Sequence, residues 1–363
     1  MKSFFHSFFY FSKLLFIQNK VDVVFYYPQH FNRGASGENL YFEPLYQACD
    51  NNNLSYLVFE EIDFKSDKPR NKNTIPFDFI FYIIFIFRKL YLTDISIGKF
   101  LSKTFLRGLR FNNYLVLSQS MIEVFRGVSE DAKVFDLQHG IIHSKKENYI
   151  KNNKVTNVIS DNSIELLLSG LGFKNLLVNS DKSNYLTDSS HSIGISKLDS
   201  KTLHKSSNKN ILVTLQFTED HSVAQNEKLL LELDEFIDAN SEYIFHLKSH
   251  PRFNNEIDLK SLADKKNVKL ASSQLSVCFQ ICSIHLTAYS TTSFECAAVG
   301  IPTLFLTSLQ SNFNMFNKDF KYPLKNNLEY IENNYSECSA LVKIWESEFY
   351  TDFDENKFIS LLK

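Results

Sequence analysis

The residues best suited to chemistry lie in three short runs, each placed after an apolar segment that reads as a strand. Residues 284–306 read IHLTAYSTTSFECAAVGIPTLFL. The first apolar run ends in Ser290, Thr291, Thr292 and Ser293. A helical pattern follows, with Glu295 in its first turn, and Gly300 and Pro302 close it before a second apolar run. A helix N-terminus at a strand end offers backbone N–H groups and a positive dipole end, which suit a phosphate. Ser and Thr at the cap add hydroxyl donors. Glu295 is placed to accept hydrogen bonds from ribose hydroxyls; its structural alternative is to favour the helix dipole or complete a capping box.

The second run, FDLQHGIIH, puts Gln138, His139 and Gly140 at a strand end, with His143 just beyond. An imidazole there can act as a general base because its pKa lies near working pH. Gly140 permits close backbone approach to a ligand. The bland alternative is a histidine that caps a turn. The third run, YIFHLKSHPR, ends a strand in Lys248, His250, Pro251 and Arg252. Pro251 holds the preceding residue extended. The three basic groups can neutralise phosphate charge or protonate a leaving oxygen; alternatively they form a solvated basic loop. A Gly-containing loop after the first strand carries Arg33, Ser36, Glu38 and Asn39. It is expected to hold an acceptor, the alternative being turn chemistry with Asn39 as a helix cap.

The elements that must position these residues alternate strand with helix in two successive halves. In the first half, strands are expected at 21–27, 54–62, 114–117, 134–138 and 156–160, with helices at 39–50, 119–127 and 163–171, the last stopped by Gly172. Residues 180–209 are rich in Ser, Lys and Asp and read as a linker. The alternation then restarts. Strands are expected at 210–215, 243–247, 268–271 and 284–288, helices at 227–238, 259–265 and 274–282, and a largely helical tail follows. Apolar strands separated by helices imply parallel sheets covered by helices. The expected organisation is an α/β chain of two Rossmann-like domains with an interdomain cleft: 1–180, a linker 181–209, 210–330, and a C-terminal helical segment 331–363. Ligands in such sheets sit outside the carboxyl ends of strands.

With 363 residues, 44% of them hydrophobic and 22% charged, the chain can bury two ordinary cores. A net charge of −2 argues against general nucleic-acid binding. The five cysteines are odd in number and lack a CxxC pair, so Cys278 and Cys282 read as core packing in a reducing compartment. The aromatic N-terminus lacks a small-residue cleavage site and makes a poor secretion signal. Residues 79–87, FIFYIIFIF, are too short to span a bilayer. They read as a buried strand or core helix, or else as an interfacial element. The flanking Lys65, Lys68, Arg70, Lys72, Arg88 and Lys89, with Lys99, Lys103, Arg107 and Arg110 at helical spacing, support the second alternative.

The order QHG, then HP, then S-T-T-S-x-E-x-x-x-x-G-x-P resembles bacterial surface-polysaccharide glycosyltransferases of the GT-B fold. Within that group it looks most like the sialyltransferases, which carry an HP motif and a downstream Ser/Thr motif. It is also similar to the capsule Kdo transferases and the polyol-phosphate transferases of teichoic-acid type, which share an HG motif. The resemblance implies that His250 and Pro251 contact the nucleotide phosphate and assist departure of the leaving group. It implies that Ser290, Thr291, Thr292 and Ser293 bind the donor's phosphate and nucleotide; Lys248, Arg252 and Glu295 are expected on the donor side from the residue reading above. His139 is implied as the base. The acidic D/E-D/E-G base motif of the sialyltransferases has no clear equivalent here, which keeps Glu38 as the rival. Arg33, Ser36, Asn39, Gln138, Gly140 and His143 are expected on the acceptor side.

The expected function is a metal-independent inverting glycosyltransferase that moves a CMP-activated acidic sugar to a surface glycan. The alternatives are a CDP-polyol phosphotransferase and a non-catalytic scaffold. No metal ligands and no cofactor beyond the nucleotide-sugar co-substrate are expected. The partners are a nucleotide-sugar donor and a glycan or glycolipid acceptor, with no nucleic acid. The expected location is the cytoplasm, at the inner face of the membrane if the basic run is interfacial.

Overall fold

The computed structural model describes residues 2–64, 68–144, 146–195, 201–218, 221–250, 257–309 and 314–363. The chain forms two compact units, one of residues 1–196 with 351–363 and the other of residues 197–350.

The first unit runs α1 (Lys2–Lys13), β1 (Asn19–Pro28), α2 (Glu43–Asn51), β2 (Tyr56–Glu61), β3 (Ile75–Pro76), α3 (Asp78–Lys89), α4 (Asp94–Lys103), β4 (Leu109–Leu117) and α5 (Ile122–Val128). It continues with β5 (Lys133–Leu137), a small antiparallel pair β6 (Ile150–Lys151) and β7 (Lys154–Val155), α6 (Asn157–Asp161), β8 (Ile164–Leu168), α7 (Leu171–Ser180), α8 (Tyr185–Asp188) and β9 (Ser190–Ser192). Seven parallel strands lie in the order β3-β2-β1-β4-β5-β8-β9. Strand β1 is buried along most of its length, as a two-sided parallel strand must be. The order reverses between β1 and β4, so the crevice of this sheet opens where those strands end.

Several expectations for this unit need correction. Residues 156–160 form helix α6 rather than a strand, and IELLL within the expected helix 163–171 is strand β8. A short apolar run does not distinguish buried strand from buried helix by periodicity, and here pairing with β5 and β9 decides. Gly172 sits in the first turn of α7 instead of stopping a helix. The basic run beyond Lys103 leaves the helix, and Arg110 lies in β4. The expected linker contains α8 and β9, and β9 pairs with β8. The helical tail divides as well. The last helix, Glu355–Leu362, places Phe358, Ile359 and Leu362 in the core of this unit with Val23, Phe25 and Cys49. Asp354 caps that helix, its Oδ1 accepting from the Lys357 N–H (3.0 Å).

The second unit runs β10 (Asn210–Thr214), α9 (Val223–Ala239), β11 (Ile244–Lys248), α10 (Lys260–Ala263), β12 (Val268–Leu270), α11 (Leu275–Ile281), β13 (Ile284–Thr287), α12 (Thr292–Ala298) and β14 (Thr303–Phe305). Helices α13 (Leu328–Asn333) and α14 (Tyr335–Phe349) follow, and Glu355–Leu362, described above, is α15. Its five strands are parallel in the order β12-β11-β10-β13-β14, with the reversal between β10 and β13. A full capping box, Ser222 with Gln225, starts α9. Gly300, at φ +79°, ends α12: its N–H bonds Ala297 O and the Ile301 N–H bonds Cys296 O, a Schellman closure. Cys278, Cys282 and Cys296 pack in one apolar cluster, and all five cysteines are free and buried.

This sheet also buries a polar chain. His285 on β13 is fully buried, with Nε2 2.8 Å from Thr214 Oγ1 on β10 and Nδ1 3.0 Å from Thr303 Oγ1 on β14. Two hydroxyls satisfy a neutral imidazole, and burial pushes its pKa down to about 3. Between that value and the ordinary histidine value near 6.5, the unfolded chain binds a proton that the folded chain refuses. Stability from this group is therefore lost as pH falls below 6.5. Urea unfolding from pH 7 to pH 4 should show that fall. In His285→Gln the slope should be shallower by up to about 1.4 kcal/mol per pH unit.

Candidate active site

In the first unit, the carboxyl ends of β1, β2, β4 and β5 carry the candidate groups. The loop after β1 is pinned from beneath by a buried carboxylate. Glu60 on β2 is fully buried and accepts from Tyr27 Oη (3.3 Å), Asn32 Nδ2 (3.3 Å), the Asn71 N–H (3.1 Å), Thr74 Oγ1 (3.4 Å) and Arg70 Nε. Arg70 also reaches both oxygens of Asp78 at 2.7 and 2.8 Å. The segment so held bonds the loop: Gln29 Nε2 donates to Lys68 O (2.7 Å) and Asn32 Nδ2 to Pro69 O (2.8 Å). Gly37, at φ +91°, lies so close to Pro69 and Arg70 that a Cβ would fall within 2.8 Å of their backbone.

This anchoring decides what the loop's polar residues do. Glu38 turns back on its own loop and accepts from the Ser36 N–H (3.0 Å), while its carbonyl accepts from the N–H groups of Arg33 and Gly34. Asn39 is buried, and its Oδ1 accepts from the N–H groups of Tyr41 and Phe42, so turn chemistry accounts for it. Helix α2 starts only at Glu43. Arg33 and Ser36 are exposed, and the Arg33 guanidinium bonds the carbonyls of His30 and Asn32.

The same loop brings Phe31 against His139, with ring centroids 4.8 Å apart. His139 follows β5, and its Nδ1 is buried with no hydrogen-bond partner. Burial, then the Lys146 ammonium, pushes its pKa down to about 4, so the ring is neutral at pH 7. Gly140 faces open space. Gln138 is a strut: its Oε1 accepts from Ser169 N and Oγ at 3.0 Å each, and its Nε2 donates to Gly140 O (2.8 Å). His143 lies half-buried beyond, its carbonyl accepting from the Lys146 N–H.

Two features here were not legible in the sequence. His30, with Nδ1 2.8 Å from Asp63 Oδ2, joins the loops after β1 and β2. At the end of β4, Ser118, Gln119 and Met121 all have positive φ (61°, 54° and 56°). None is glycine, and left-handed backbone costs roughly 1 kcal/mol or more per such residue. The strain is held by Asp136, which accepts from the Gln119 N–H (3.2 Å) and Tyr149 Oη (2.9 Å), and by Tyr114 Oη donating to Ser120 O (2.8 Å). Burial pushes the Asp136 carboxyl up to about 6.

In the second unit, the crevice between the ends of β10 and β13 holds a hydrogen-bonded relay. Tyr289 Oη lies 2.7 Å from His221 Nε2, and His221 Nδ1 lies 3.1 Å from Asn226 Oδ1. Asn226 Nδ2 donates to Thr218 O, which turns Oδ1 toward the ring. Nδ1 therefore carries the proton and Nε2 accepts from the phenol. Neither His221 nor Tyr289 was expected as a site residue. The available signal was positional: they follow the two strands that flank the reversal of strand order.

The hydroxyl turn differs from the expected cradle of free N–H groups. Ser290 Oγ accepts from the Thr292 N–H (3.2 Å) and donates to Thr292 Oγ1 (3.0 Å). The N–H groups of Ser293 and Phe294 bond the carbonyls of Ser290 and Thr291. Thr291 is exposed, and Ser293 Oγ is buried without a partner. Glu295 is half-buried, and no described residue bonds to it; burial alone holds its carboxyl above the usual range. Lys248, expected on the donor, instead donates to the carbonyls of Ser272 (3.1 Å) and Ser273 (2.7 Å), tying the ends of β11 and β12 together. His250 is half-buried past β11, while Pro251 and Arg252 lie outside the described residues. A surface depression of about 520 Å³ borders α6 and α8, and none of the candidate residues lines it.

The Arg70 anchor has a measurable consequence. Arg70→Met leaves Glu60 and Asp78 buried without their cation and should lower stability by about 3 kcal/mol in chemical unfolding. Arg70→Lys should recover only part, because one ammonium cannot reproduce the fork.

No family model matches the chain, and no curated protein matches it in sequence. Solved structures do match in fold. The UDP-GlcNAc 2-epimerase of Methanocaldococcus jannaschii, in complex with UDP-GlcNAc and UDP, is 12% identical over 95% of this chain and 99% of that one, with a TM-score of 0.54. The wall teichoic acid polymerase TagF is 10% identical over 99% and 92%, also at 0.54. S. aureus MnaA with UDP is 13% identical over 93% and 95%, at 0.53. The likeness does not single out the sialyltransferase or Kdo transferase groups. At these identities it establishes the architecture: the chain has the α/β fold of two Rossmann-like units known as GT-B.

Proposed function

We propose that the protein is a transferase that takes a nucleotide-activated donor and extends a surface glycan, with a CMP-linked acidic sugar as the donor. The observation that carries this reading is Glu295. A half-buried carboxylate with no bonding partner among the described residues, one turn past a hydroxyl-rich strand end, is matched to the hydroxyl pair of a ribose. The adjacent Thr291 is exposed for a phosphate oxygen, and His250 is the candidate proton donor to the leaving phosphate. Lys248 is left out of this role because its ammonium is already held by two carbonyls. In the first unit, His139 is neutral at pH 7, the form a general base requires, and the residue is only half-buried. Glu38, bound within its own loop, is the weaker candidate.

The reaction is a single displacement. The acceptor oxygen bonds to the anomeric carbon, the bond from that carbon to the phosphate oxygen breaks, and the acceptor proton passes to His139. The sugar configuration inverts, and CMP leaves.

A thermal-shift panel of CMP, CDP, UDP and GDP tests the donor. CMP should raise the melting temperature most, by roughly the equivalent of 2.7 kcal/mol at one hundred times its dissociation constant. In Glu295→Gln the preference for the ribonucleotide over its 2′-deoxy form should weaken. Absence of any nucleotide effect would overturn the proposal and favour a non-catalytic scaffold. His139→Asn should lower kcat by about 10²–10⁴-fold while donor binding is kept. Because the His139 pKa lies near 4, the acid limb of kcat/KM should fall near pH 4 and not near 6.5.

A CDP-polyol phosphotransferase is the second reading. It draws support from the His139-Gly140 pair and from the likeness to TagF, whose structure was also determined after a CDPG soak. A phosphodiester in the product, with CDP as the best stabiliser, would select it.

A further inference from the structure

Helices α1 and α3 pack side by side in the first unit through Phe4–Phe79, Phe4–Tyr82 and Phe8–Phe79 ring contacts. Each nevertheless keeps an apolar stripe turned outward. On α1 the exposed positions include Lys2, Phe5, Phe9 and Lys13, and on α3 they are Tyr82, Phe85, Ile86, Arg88 and Lys89. The spacings of three and four residues place each stripe on one helical face. Phe9 is 61% exposed, Phe5 and Ile86 54% each, and Tyr91, just past α3, 95%. The rings of Phe5, Phe4, Tyr82 and Phe64 form a continuous series of edge and tilted contacts across both helices, so the patch is contiguous. A contiguous aromatic surface of this kind marks a binding face.

The segments that carry these helices are predominantly cationic. Residues 2–20 contain three lysines and no acid, a formal +3; residues 78–110, from the start of α3, contain six Lys or Arg against Asp78 and Asp94, a formal +4. The chain total is −2, which leaves −9 for all other residues. Asp94 is paired with Arg88, and Lys99 with Glu130, whereas Lys89 lies over the Phe85 ring at 4.5 Å. Among the described residues no helix is long and apolar enough to cross a membrane, and α1 and α3 have 12 residues each. Short helices with apolar outer stripes and cationic flanks have the chemistry of elements that lie in the plane of a bilayer surface.

We propose that the outer faces of α1 and α3 dock this protein on an anionic lipid surface, with the aromatic stripes at the headgroup–acyl boundary and the flanking lysines on lipid phosphates. The inference is independent of the proposed reaction, since it uses none of its residues.

Co-sedimentation of the full chain with vesicles tests it. Vesicles of two parts phosphatidylcholine to one part phosphatidylglycerol should pellet the protein, and phosphatidylcholine alone should do so at least about tenfold more weakly. Phe5→Ser with Phe9→Ser, and separately Ile86→Asp, should each weaken binding about tenfold or more with an unchanged melting temperature. Lys13→Glu with Lys89→Glu should weaken it and reduce its salt dependence. The proposal is overturned if the anionic vesicles do not pellet the protein or if the apolar variants bind as the parent does. It is equally overturned if sedimentation velocity shows a dimer that these variants dissociate, since a second copy would then own the patch.

Discussion

A single buried carboxylate organises the first unit. Glu60 ends a strand in a place without solvent, where an unpaired charge is untenable. It is stabilised by five donors from β1, from the loop beyond it and from the 70–74 segment. Because Arg70 bonds Glu60 and Asp78 together, the acid acts as a clamp and not merely as a satisfied charge. The loop after β1 rests on that clamped segment, and Phe31 in that loop rests on His139. The position of the candidate base therefore depends on an ion pair that contains none of the candidate residues.

The second unit handles burial differently. Its interior histidine, His285, is satisfied by two threonines across three strands and kept neutral. At the strand ends the pattern reverses. Among the described residues Glu295 has no bonding partner, and Ser293 Oγ is buried without one. Polar groups inside a fold are normally paired, so those left over are the informative ones. The Tyr289–His221–Asn226 relay follows the two strands between which the strand order reverses. In the first unit the equivalent line is marked by left-handed backbone at Ser118, Gln119 and Met121, a strain the surrounding hydrogen bonds hold in place.

Most of the α/β architecture was legible as sequence. Buried parallel strands are continuous apolar runs, and those at 210–214, 244–248, 268–270 and 284–287 lie within a residue or so of where the runs predict them. The reading failed at 156–171, where a five-residue apolar run is equally compatible with helix and strand until a neighbouring strand pairs with it. The return of Glu355–Leu362 to the first unit was likewise invisible, since an amphipathic helix does not say which core it covers.

The sequence by itself determined the class of the fold and the places where chemistry-bearing residues fall, because strand periodicity and turn residues are local properties. It identified His139, His250, Ser290–Ser293 and Glu295 as strand-end groups. Only the tertiary structure decided which of them are available. Lys248 is held by carbonyls from another strand's loop, Glu38 is closed on its own turn, and Ser290 caps the helix it precedes. The half-buried His139 stays neutral at pH 7, and the carboxylate of Glu295 has no bonding partner among the described residues. Residue type states what a group can bond, but whether it is already bonded depends on segments far apart in the chain, and packing alone brings those together.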